Sequence, residues 1–255
     1  MHQMNSRKVV FIDIDGTLLS SRGTVSEQDM AALRALRAQG DKVFLNTGRS
    51  YAYIPEGIRR ADYFDGIIAG GGAYIMMDGK TLYSATIPEP ILSMVCRLYL
   101  SNGKWCKFEG VDNNYAIYSD DRACKPVESA DDFKNRYVGV QVSKITMQGE
   151  VSEEERKALH PYFYLYRHAY YSEGFIRGES KTTGIEQVLR ALGIDKKNTV
   201  GIGDSINDAE MLINTEFGIA MGNACPEVRQ IADVITEDCD HSGVGKAVER
   251  YLLHR

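Results

Sequence analysis

Short apolar runs that end in polar or glycine-rich loops recur along this 255-residue chain and constrain its fold more than any other feature. The clearest of these runs cover residues 9–12, 42–46, 66–69 and 199–202. Helix-like patterns, with apolar residues every three or four positions, lie between them. Strands that alternate with amphipathic helices predict an α/β fold with a parallel sheet flanked by helices. In open sheets of this kind, ligands bind at the carboxyl ends of the strands.

The first helix pattern starts at Ser26, continues through Met30, Leu33 and Leu36, and stops at Gly40. The α/β pattern returns near the C-terminus. There the sequence predicts helices over residues 183–192, from Ile206, after Pro226 and from Ser242, and strands over 217–220 and 233–235.

Two carboxylates stand directly after the first apolar run. Asp13 and Asp15 are two positions apart, and side chains at such positions of an extended chain point to the same side. Close carboxylates repel each other unless a cation neutralises them, and oxygen ligands without nearby Cys or His favour Mg2+ over zinc. Asp15-Gly16 is also a typical hairpin turn, so this segment alone leaves both interpretations open.

A second acidic cluster follows the run at 199–202 and opens a helix. Its residues are Gly203-Asp204-Ser205-Ile206-Asn207-Asp208. Asp204 can supply a third carboxylate, although Asp and Ser are also favoured caps at a helix start. Helix capping explains one or two of these residues and not the whole set. A dinucleotide fingerprint is excluded because Ile206 stands where its third glycine is needed.

Two further segments offer groups that bind phosphate. Thr47 supplies a hydroxyl and Gly48 permits close backbone approach at the end of a strand. Lys181 supplies a positive charge near the N-terminus of a helix, where anions are favoured. A single lysine at such a position is more often a solvated surface group. Ser180 stands where a nucleotide P-loop needs glycine, which argues against a P-loop.

The middle of the chain has a different pattern. Short strands cluster between the core segments 1–83 and 179–255, which predicts an inserted α+β domain over residues 84–178. A helix after Pro88 and strands within 105–109, 115–118, 139–147 and 162–171 are expected there. Nine of the fifteen tyrosines fall in this insert. Strand packing explains most of them, and an aromatic wall for a substrate is the alternative.

Composition excludes several classes of protein. The net charge is −5 and no block of Lys or Arg is present, which argues against nucleic-acid binding. The sequence shows neither a signal-peptide pattern nor an apolar stretch of membrane-spanning length. The five cysteines are odd in number and contain no C-x-x-C pair, as expected for reduced thiols in a cytoplasmic protein.

Taken together, four motifs in a fixed order resemble the haloacid dehalogenase (HAD) superfamily, in its Cof-type branch of small-molecule phosphatases. The motifs are Asp13-x-Asp15-Gly16-Thr17-Leu18, then Thr47-Gly48-Arg49, then Lys181, then Gly203-Asp204-Ser205-x-Asn207-Asp208. The likeness continues through residues 220–224 and 243–244. It implies a Rossmann-like core, a cap domain inserted between the second and third motifs, and the hydrolysis of a small phosphate monoester. A sugar phosphate is the expected substrate by family analogy.

The resemblance also implies roles for individual residues. Asp13 would be the nucleophile that forms an aspartyl-phosphate, and Asp15 the general acid and base. Mg2+ would be held by Asp13, the backbone carbonyl of Asp15, and Asp204, with Asp208 as a nearby support. The phosphoryl oxygens would be bound by Thr47, Gly48, Lys181 and Asn207.

Some features lie outside this pattern. The third strand ends in Gly71-Gly72-Ala73 where the family commonly has Asn-Gly-Ala, and Ser242 replaces a common acidic residue. Packing or surface roles are expected for Arg49, Trp105, Arg167 and His168. The sequence leaves open a phosphomutase or phosphotransferase with the same nucleophile, and a noncatalytic phosphate-binding module.

Overall fold

A computed structural model describes residues 7–253, which form two β-sheets and the helices around them. The strands are β1 (Val9–Ile12), β2 (Lys42–Asn46), β3 (Gly66–Ala69), β4 (Tyr74–Met77), β5 (Lys80–Ser84), β6 (Cys106–Gly110), β7 (Asn114–Ile117), β8 (Cys124–Pro126), β9 (Val142–Gln148), β10 (Phe163–Arg167), β11 (Tyr171–Ile176), β12 (Thr199–Gly203), β13 (Phe217–Ala220) and β14 (Val234–Ile235). The α-helices are α1 (Glu27–Ala38), α2 (Glu56–Arg59), α3 (Glu89–Asn102), α4 (Asp132–Asn135), α5 (Glu153–Leu159), α6 (Lys181–Leu192), α7 (Ala209–Asn214), α8 (Pro226–Ile231) and α9 (Gly243–Val248).

The first sheet has eight strands in the order β14-β13-β12-β1-β2-β3-β4-β5. The strands from β14 to β3 are parallel, and β4 and β5 form an antiparallel edge. Leu33 of α1 and Val248 of α9 pack on one face, whereas Ile185 of α6 and Met211 of α7 pack on the other. The central strands are therefore buried on both faces, which explains their continuous apolar runs. The predicted α/β fold with a helix-flanked central sheet is confirmed.

The cap of α1 ties two helices of this core together. Ser26 accepts a hydrogen bond from the Asp29 amide at 3.0 Å, as the sequence predicts for a helix start. The buried Asp29 carboxylate accepts a second bond, from the amide of Gly245 in α9, at 2.6 Å. The bond from Gly245 joins the N-terminal part of the core to its C-terminal part.

The second sheet has six strands in the order β10-β11-β9-β6-β7-β8, and all of them lie between residues 106 and 176. One face packs on helices α3 and α5 through a separate apolar cluster that includes Tyr99, Phe108 and Leu159. The other face carries polar and aromatic side chains. This sheet lies within the predicted insert, and the proposed domain boundaries at 84 and 178 remain a prediction.

Several predicted elements differ in detail from those observed. The tyrosine-rich stretch forms two strands, β10 and β11, rather than one, and the helix predicted from 183 starts at Lys181. The helix expected from Ile206 begins as a 3-10 turn, Ile206–Asp208, before α7. The hairpin β4–β5, strand β8 and helices α4 and α5 were not predicted. All five cysteines are unpaired, and residues 7–253 include no helix able to cross a membrane.

Candidate active site

Three parallel neighbours of the first sheet bring the predicted motifs to one edge. Strands β1, β2 and β12 are adjacent, with Ile12 in register with Leu45 on one side and Ile202 on the other. Asp13, Thr47 and Asp204 follow these strands directly. The fold therefore gathers residues that are up to 191 positions apart in the sequence.

Lys181 lies between two buried carboxylates at this edge. Its ammonium nitrogen is 2.5 Å from Asp13 Oδ1 and 2.5 Å from Asp208 Oδ1. The helix start explains the position of this side chain: Ser180 caps α6 by accepting from the Thr183 amide, which leaves Lys181 in the first turn. Burial acts to lower the pKa of Lys181, but the two carboxylates hold it above its ordinary value. Lys181 is therefore a buried, charged residue of the site and not a solvated surface lysine.

The acidic residues form one cluster. Asp13, Asp204 and Asp208 each offer a carboxylate oxygen, and these oxygens lie within 4.8 Å of one another. Burial, followed by the charge of Asp208, raises the pKa of Asp13 to about 7 and that of Asp204 to about 6. Asp13 and Asp208 contact the single ammonium of Lys181, so with Asp204 the cluster keeps excess negative charge. A set of hard oxygen donors with that charge fits Mg2+.

Asp208 holds the loop that carries Asp204. One of its oxygens faces Lys181, and the other accepts hydrogen bonds from the backbone amides of Asp204 and Ser205 at 3.1 and 3.0 Å. A side chain at Gly203 would collide with Asp208, so the strand end requires glycine there. Both oxygens of Asp208 are engaged with the protein, and its predicted support of a metal remains a prediction.

Residues of the loop that follows β1 hold the side chain of Asp204 in place. Its Oδ1 accepts a hydrogen bond from the Thr17 hydroxyl at 3.0 Å. Gly16 lies directly against the same carboxylate in a left-handed conformation, with φ of 76°, and a Cβ atom there would overlap Asp204. Glycine at position 16 therefore allows the loop after β1 to pack closely against the loop after β12. The Asp15-Gly16 pair is not the turn of a hairpin.

Asp15 is paired with a residue that the sequence prediction left outside the site. The Arg49 guanidinium contacts both oxygens of the Asp15 carboxylate, at 2.6 and 2.7 Å. The backbone amide of Asp15 donates to Asp13 Oδ2 at 3.0 Å. Asp13 is thus held at one oxygen by Lys181 and at the other by Asp15. The sequence signal for Arg49 was its place in the Thr47-Gly48-Arg49 motif.

The predicted phosphate-binding residues lie around one cavity of about 380 Å³. Gly48, Lys181 and Asn207 line it, together with Tyr164, Tyr166 and Phe175 of the second sheet. Thr47 is buried beside them, and its hydroxyl oxygen accepts a hydrogen bond from the Arg49 amide at 3.1 Å. The structure thus brings all predicted site residues to the same sheet edge.

The ring of Phe175 lies directly against Gly71. A Cβ atom at Gly71 would collide with this ring, and Gly71 has φ of 61°. The asparagine that the resemblance led us to expect here would therefore collide with the ring. An aromatic ring of the second sheet thus occupies the space into which a side chain at residue 71 would extend.

A second cavity, of about 310 Å³, lies on the Arg49 side. Its lining combines charged pairs with aromatic rings and consists of Arg49, Tyr53, Trp105, Lys107, Glu109, Lys144, Thr146, Tyr171 and Glu173. Lys107 pairs with Asp121 at 2.6 Å. Trp105, for which a packing role was expected, faces this cavity. Arg167 pairs with Glu150 at 2.9 Å, as expected for a surface residue.

Comparisons with known proteins agree with this geometry. Residues 10–248 match the family of haloacid dehalogenase-like hydrolases. Phosphoglycolate phosphatase 1 of Saccharolobus solfataricus is 28% identical, covering 96% of each chain. The solved structure of the HAD subclass IIB sugar phosphatase BT4131 is 28% identical, with a TM-score of 0.81 over 96% of this chain and 99% of that one. A hypothetical protein of Geobacillus kaustophilus is 29% identical, with a TM-score of 0.85 over 97% and 100%. The chain therefore belongs to the haloacid dehalogenase-like hydrolases, as an enzyme of their phosphatase type.

Proposed function

We propose that this enzyme is a Mg2+-dependent phosphatase that hydrolyses a small phosphate monoester through a phosphorylated Asp13. The contact of Lys181 with Asp13 at 2.5 Å, beside two further carboxylates, is the observation that carries this proposal. A carboxylate approaches a phosphate dianion only when positive charge offsets the repulsion. Asp13 is buried at the end of a central strand, where such charge acts most strongly.

The acidic cluster supports the metal requirement. Asp13 and Asp204 would hold Mg2+ with the backbone carbonyl of Asp15, while Asp208 keeps the loop of Asp204 in place. When bound, the ion supplies positive charge opposite the phosphoryl oxygens.

In the first step, a carboxylate oxygen of Asp13 attacks phosphorus. A bond forms between this oxygen and phosphorus, the bond to the ester oxygen breaks, and Asp15 gives a proton to the departing alkoxide. Lys181, the Thr47 hydroxyl and the Gly48 amide donate hydrogen bonds to the phosphoryl oxygens, and Asn207 adds its side-chain amide. These donors stabilise the charge that builds up on the phosphoryl group.

In the second step, water replaces the protein oxygen. Asp15, now ionised, takes a proton from the water molecule, whose oxygen bonds to phosphorus as the bond to Asp13 breaks. Orthophosphate leaves, and both aspartates return to their starting states. Asp15 is more than half exposed, so water can reach it.

The inserted segment 84–178 is proposed to act as a cap that holds the rest of the substrate. Asp15 is bound by Arg49, which lines the 310 Å³ cavity, so the leaving group would enter on that side. Paired charges offer hydrogen-bond donors and acceptors, and Trp105 and Tyr171 offer apolar ring faces. This chemistry suits an uncharged, hydroxyl-rich group, as in a sugar phosphate. The proposed location is the cytoplasm, which rests on the sequence alone.

A chromogenic phosphate ester tests the proposal directly. We expect p-nitrophenyl phosphate to be hydrolysed with Mg2+ and not with EDTA. The Asp13→Asn variant should be inactive, and Asp62→Asn, which changes an exposed aspartate, should retain activity. Phosphate binding without turnover under any condition would instead identify a noncatalytic binding module.

The natural substrate and the acceptor need a second experiment. A screen of phosphorylated metabolites for released orthophosphate identifies the substrate class. Repeating the reaction with added sugar and analysing the products separates hydrolysis from transfer. A phosphorylated sugar in place of orthophosphate would identify a phosphotransferase or phosphomutase.

A further inference from the structure

Lys144 of strand β9 reaches from the second sheet to the loop that follows β2. Its ammonium group is buried and donates a hydrogen bond to the carbonyl oxygen of Gly48 at 3.1 Å. It also contacts the carboxylate of Glu173 and lies 3.8 Å from that of Glu109. The ring centre of Phe175 is 5.0 Å away. Among the described residues, Lys144 thus links the inserted segment directly to a predicted phosphate-binding loop.

The surroundings of Lys144 keep its charge. Burial acts to lower its pKa, but the carboxylates of Glu109 and Glu173 raise it above its ordinary value. These carboxylates are themselves held, Glu109 by the Thr146 hydroxyl and Glu173 by His168 at 2.8 Å. A buried ammonium that is fixed on several sides has little freedom to move. The Gly48 carbonyl therefore has a rigid partner.

The bond from Lys144 fixes one peptide unit with two consequences. The peptide that joins Gly48 to Arg49 presents its carbonyl to Lys144 and its amide to the Thr47 hydroxyl oxygen, at 3.1 Å. Because that oxygen accepts from Arg49, the Thr47 hydroxyl proton is free to donate elsewhere. The side chain of the same Arg49 holds both oxygens of Asp15. The orientation of the Gly48–Arg49 peptide therefore positions two groups. These are the Thr47 hydroxyl, a proposed phosphate donor, and Arg49, which binds the proposed general acid Asp15.

We propose that Lys144 is a positioning residue for phosphoryl transfer, which fixes the Gly48–Arg49 peptide so that Thr47 and Asp15 face the substrate correctly. This inference rests on the proposed function, because it assigns Lys144 to the same site. It makes the inserted segment part of the machinery that orients the phosphoryl group, in addition to its proposed contact with the leaving group.

The test compares three double variants and one single variant. Lys144→Met alone would leave buried carboxylates without a partner, so it is combined with Glu173→Gln. The matched control, Lys104→Met with Glu155→Gln, removes another lysine–glutamate pair of the insert, whose nitrogen–oxygen distance is 2.9 Å. Glu173→Gln alone shows the effect of the glutamate. Lys144→Gln with Glu173→Gln is the second variant, since glutamine is one bond shorter than lysine and does not reach Gly48.

Orthophosphate and vanadate are the probes, because neither has a leaving group that could contact the cap. We expect kcat/KM of the Lys144 double variants to be about 10- to 100-fold lower than that of the wild type, as for a small misplacement of reacting groups. Both inhibitors should bind these variants about tenfold more weakly. The Lys104 control and Glu173→Gln should keep their inhibition constants within about twofold. A purely structural role would lower the unfolding temperature and leave these constants unchanged.

The two proposals fail in different ways. A wild-type protein without Mg2+-dependent turnover would remove the proposed phosphatase function, whereas calorimetric binding of orthophosphate with Mg2+ would still report on Lys144. The positioning role is wrong if folded Lys144 double variants bind orthophosphate and vanadate as tightly as the wild type does. It is also wrong if the Lys104 control loses as much affinity for these inhibitors as the Lys144 variants do.

Discussion

Arg49 holds Asp15 by both carboxylate oxygens, with Nη2 at 2.6 Å from Oδ1 and Nε at 2.7 Å from Oδ2. This fork geometry fixes the plane of the carboxylate as well as its position. The side chain of Asp15 is 55% exposed, so few other contacts restrain it. Arg49 is thus the main group that orients the proposed acid and base.

We expect Arg49→Met to lower kcat about tenfold and to leave the Mg2+ requirement in place, because the carboxylate remains but is no longer oriented. Arg34→Met is the matched control, since Arg34 makes the same kind of two-oxygen contact with Asp62 at the surface. Steady-state kinetics of the two variants make the comparison. Equal turnover in both variants would contradict an orienting role for Arg49.

Gly16 and Gly23 allow a test of the contact between the two acidic loops. Both glycines have left-handed backbone conformations, with φ of 76° and 73°, so alanine strains either position by about 1 kcal/mol. At Gly16 the added methyl group would overlap Asp204. At Gly23 the added methyl group would have no atom within 4 Å other than those of the adjacent residues. We expect Gly16→Ala to raise the Mg2+ concentration for half-maximal activity about tenfold or more, and Gly23→Ala to leave it unchanged. A Mg2+ titration of turnover gives both values, and equal half-maximal Mg2+ concentrations in the two variants would show that Asp204 does not bind the ion.

Removing Lys181 tests the charge balance of the site. Lys181→Met leaves Asp13 and Asp208 buried without their shared cation and deletes a proposed donor to the phosphoryl group. We expect turnover to fall about 10²- to 10³-fold, the usual effect of losing one preorganised donor. Lys197→Met, which removes an exposed lysine, serves as the control. Turnover within threefold of the wild type in the Lys181 variant would exclude its proposed role.

The sequence predicted the central strands well, and it pointed to polar residues that lie together at one sheet edge, because both have local signals. Strands that are buried on two faces appear as uninterrupted apolar runs, and the polar residues that follow them mark the sheet edge. The hairpin β4–β5 also has a local signal. Its turn is Asp78-Gly79, with φ of 49° and 74°, and this is the Asp-Gly pair that does form a hairpin turn.

Other features have no local signal. Lys144 is one lysine in a strand pattern, and its contact with Gly48 joins residues 96 positions apart. The turn between β10 and β11 contains no glycine or proline, so the two strands looked like one stretch. The contact of Lys144 arises only when the two sheets pack together, and a pattern within one segment cannot contain it.

Asp65 gives a prediction for stability against pH. Burial alone would raise its pKa, but hydrogen bonds from Arg37, Lys42 and the Val43 amide lower the pKa below the ordinary value of 3.8. The folded protein therefore favours the ionised form, and this stabilisation is present above pH 3.8 and is lost as the pH falls through the lower, folded-state pKa. Asp65→Asn removes the ionised acceptor, so we expect it to lower the free energy of unfolding by about 2 kcal/mol at pH 7. The difference from the wild type should shrink as the pH falls below 3.8. Urea unfolding of both proteins at several pH values measures it, and a constant difference from pH 7 to pH 3 would show that ionised Asp65 does not stabilise the fold.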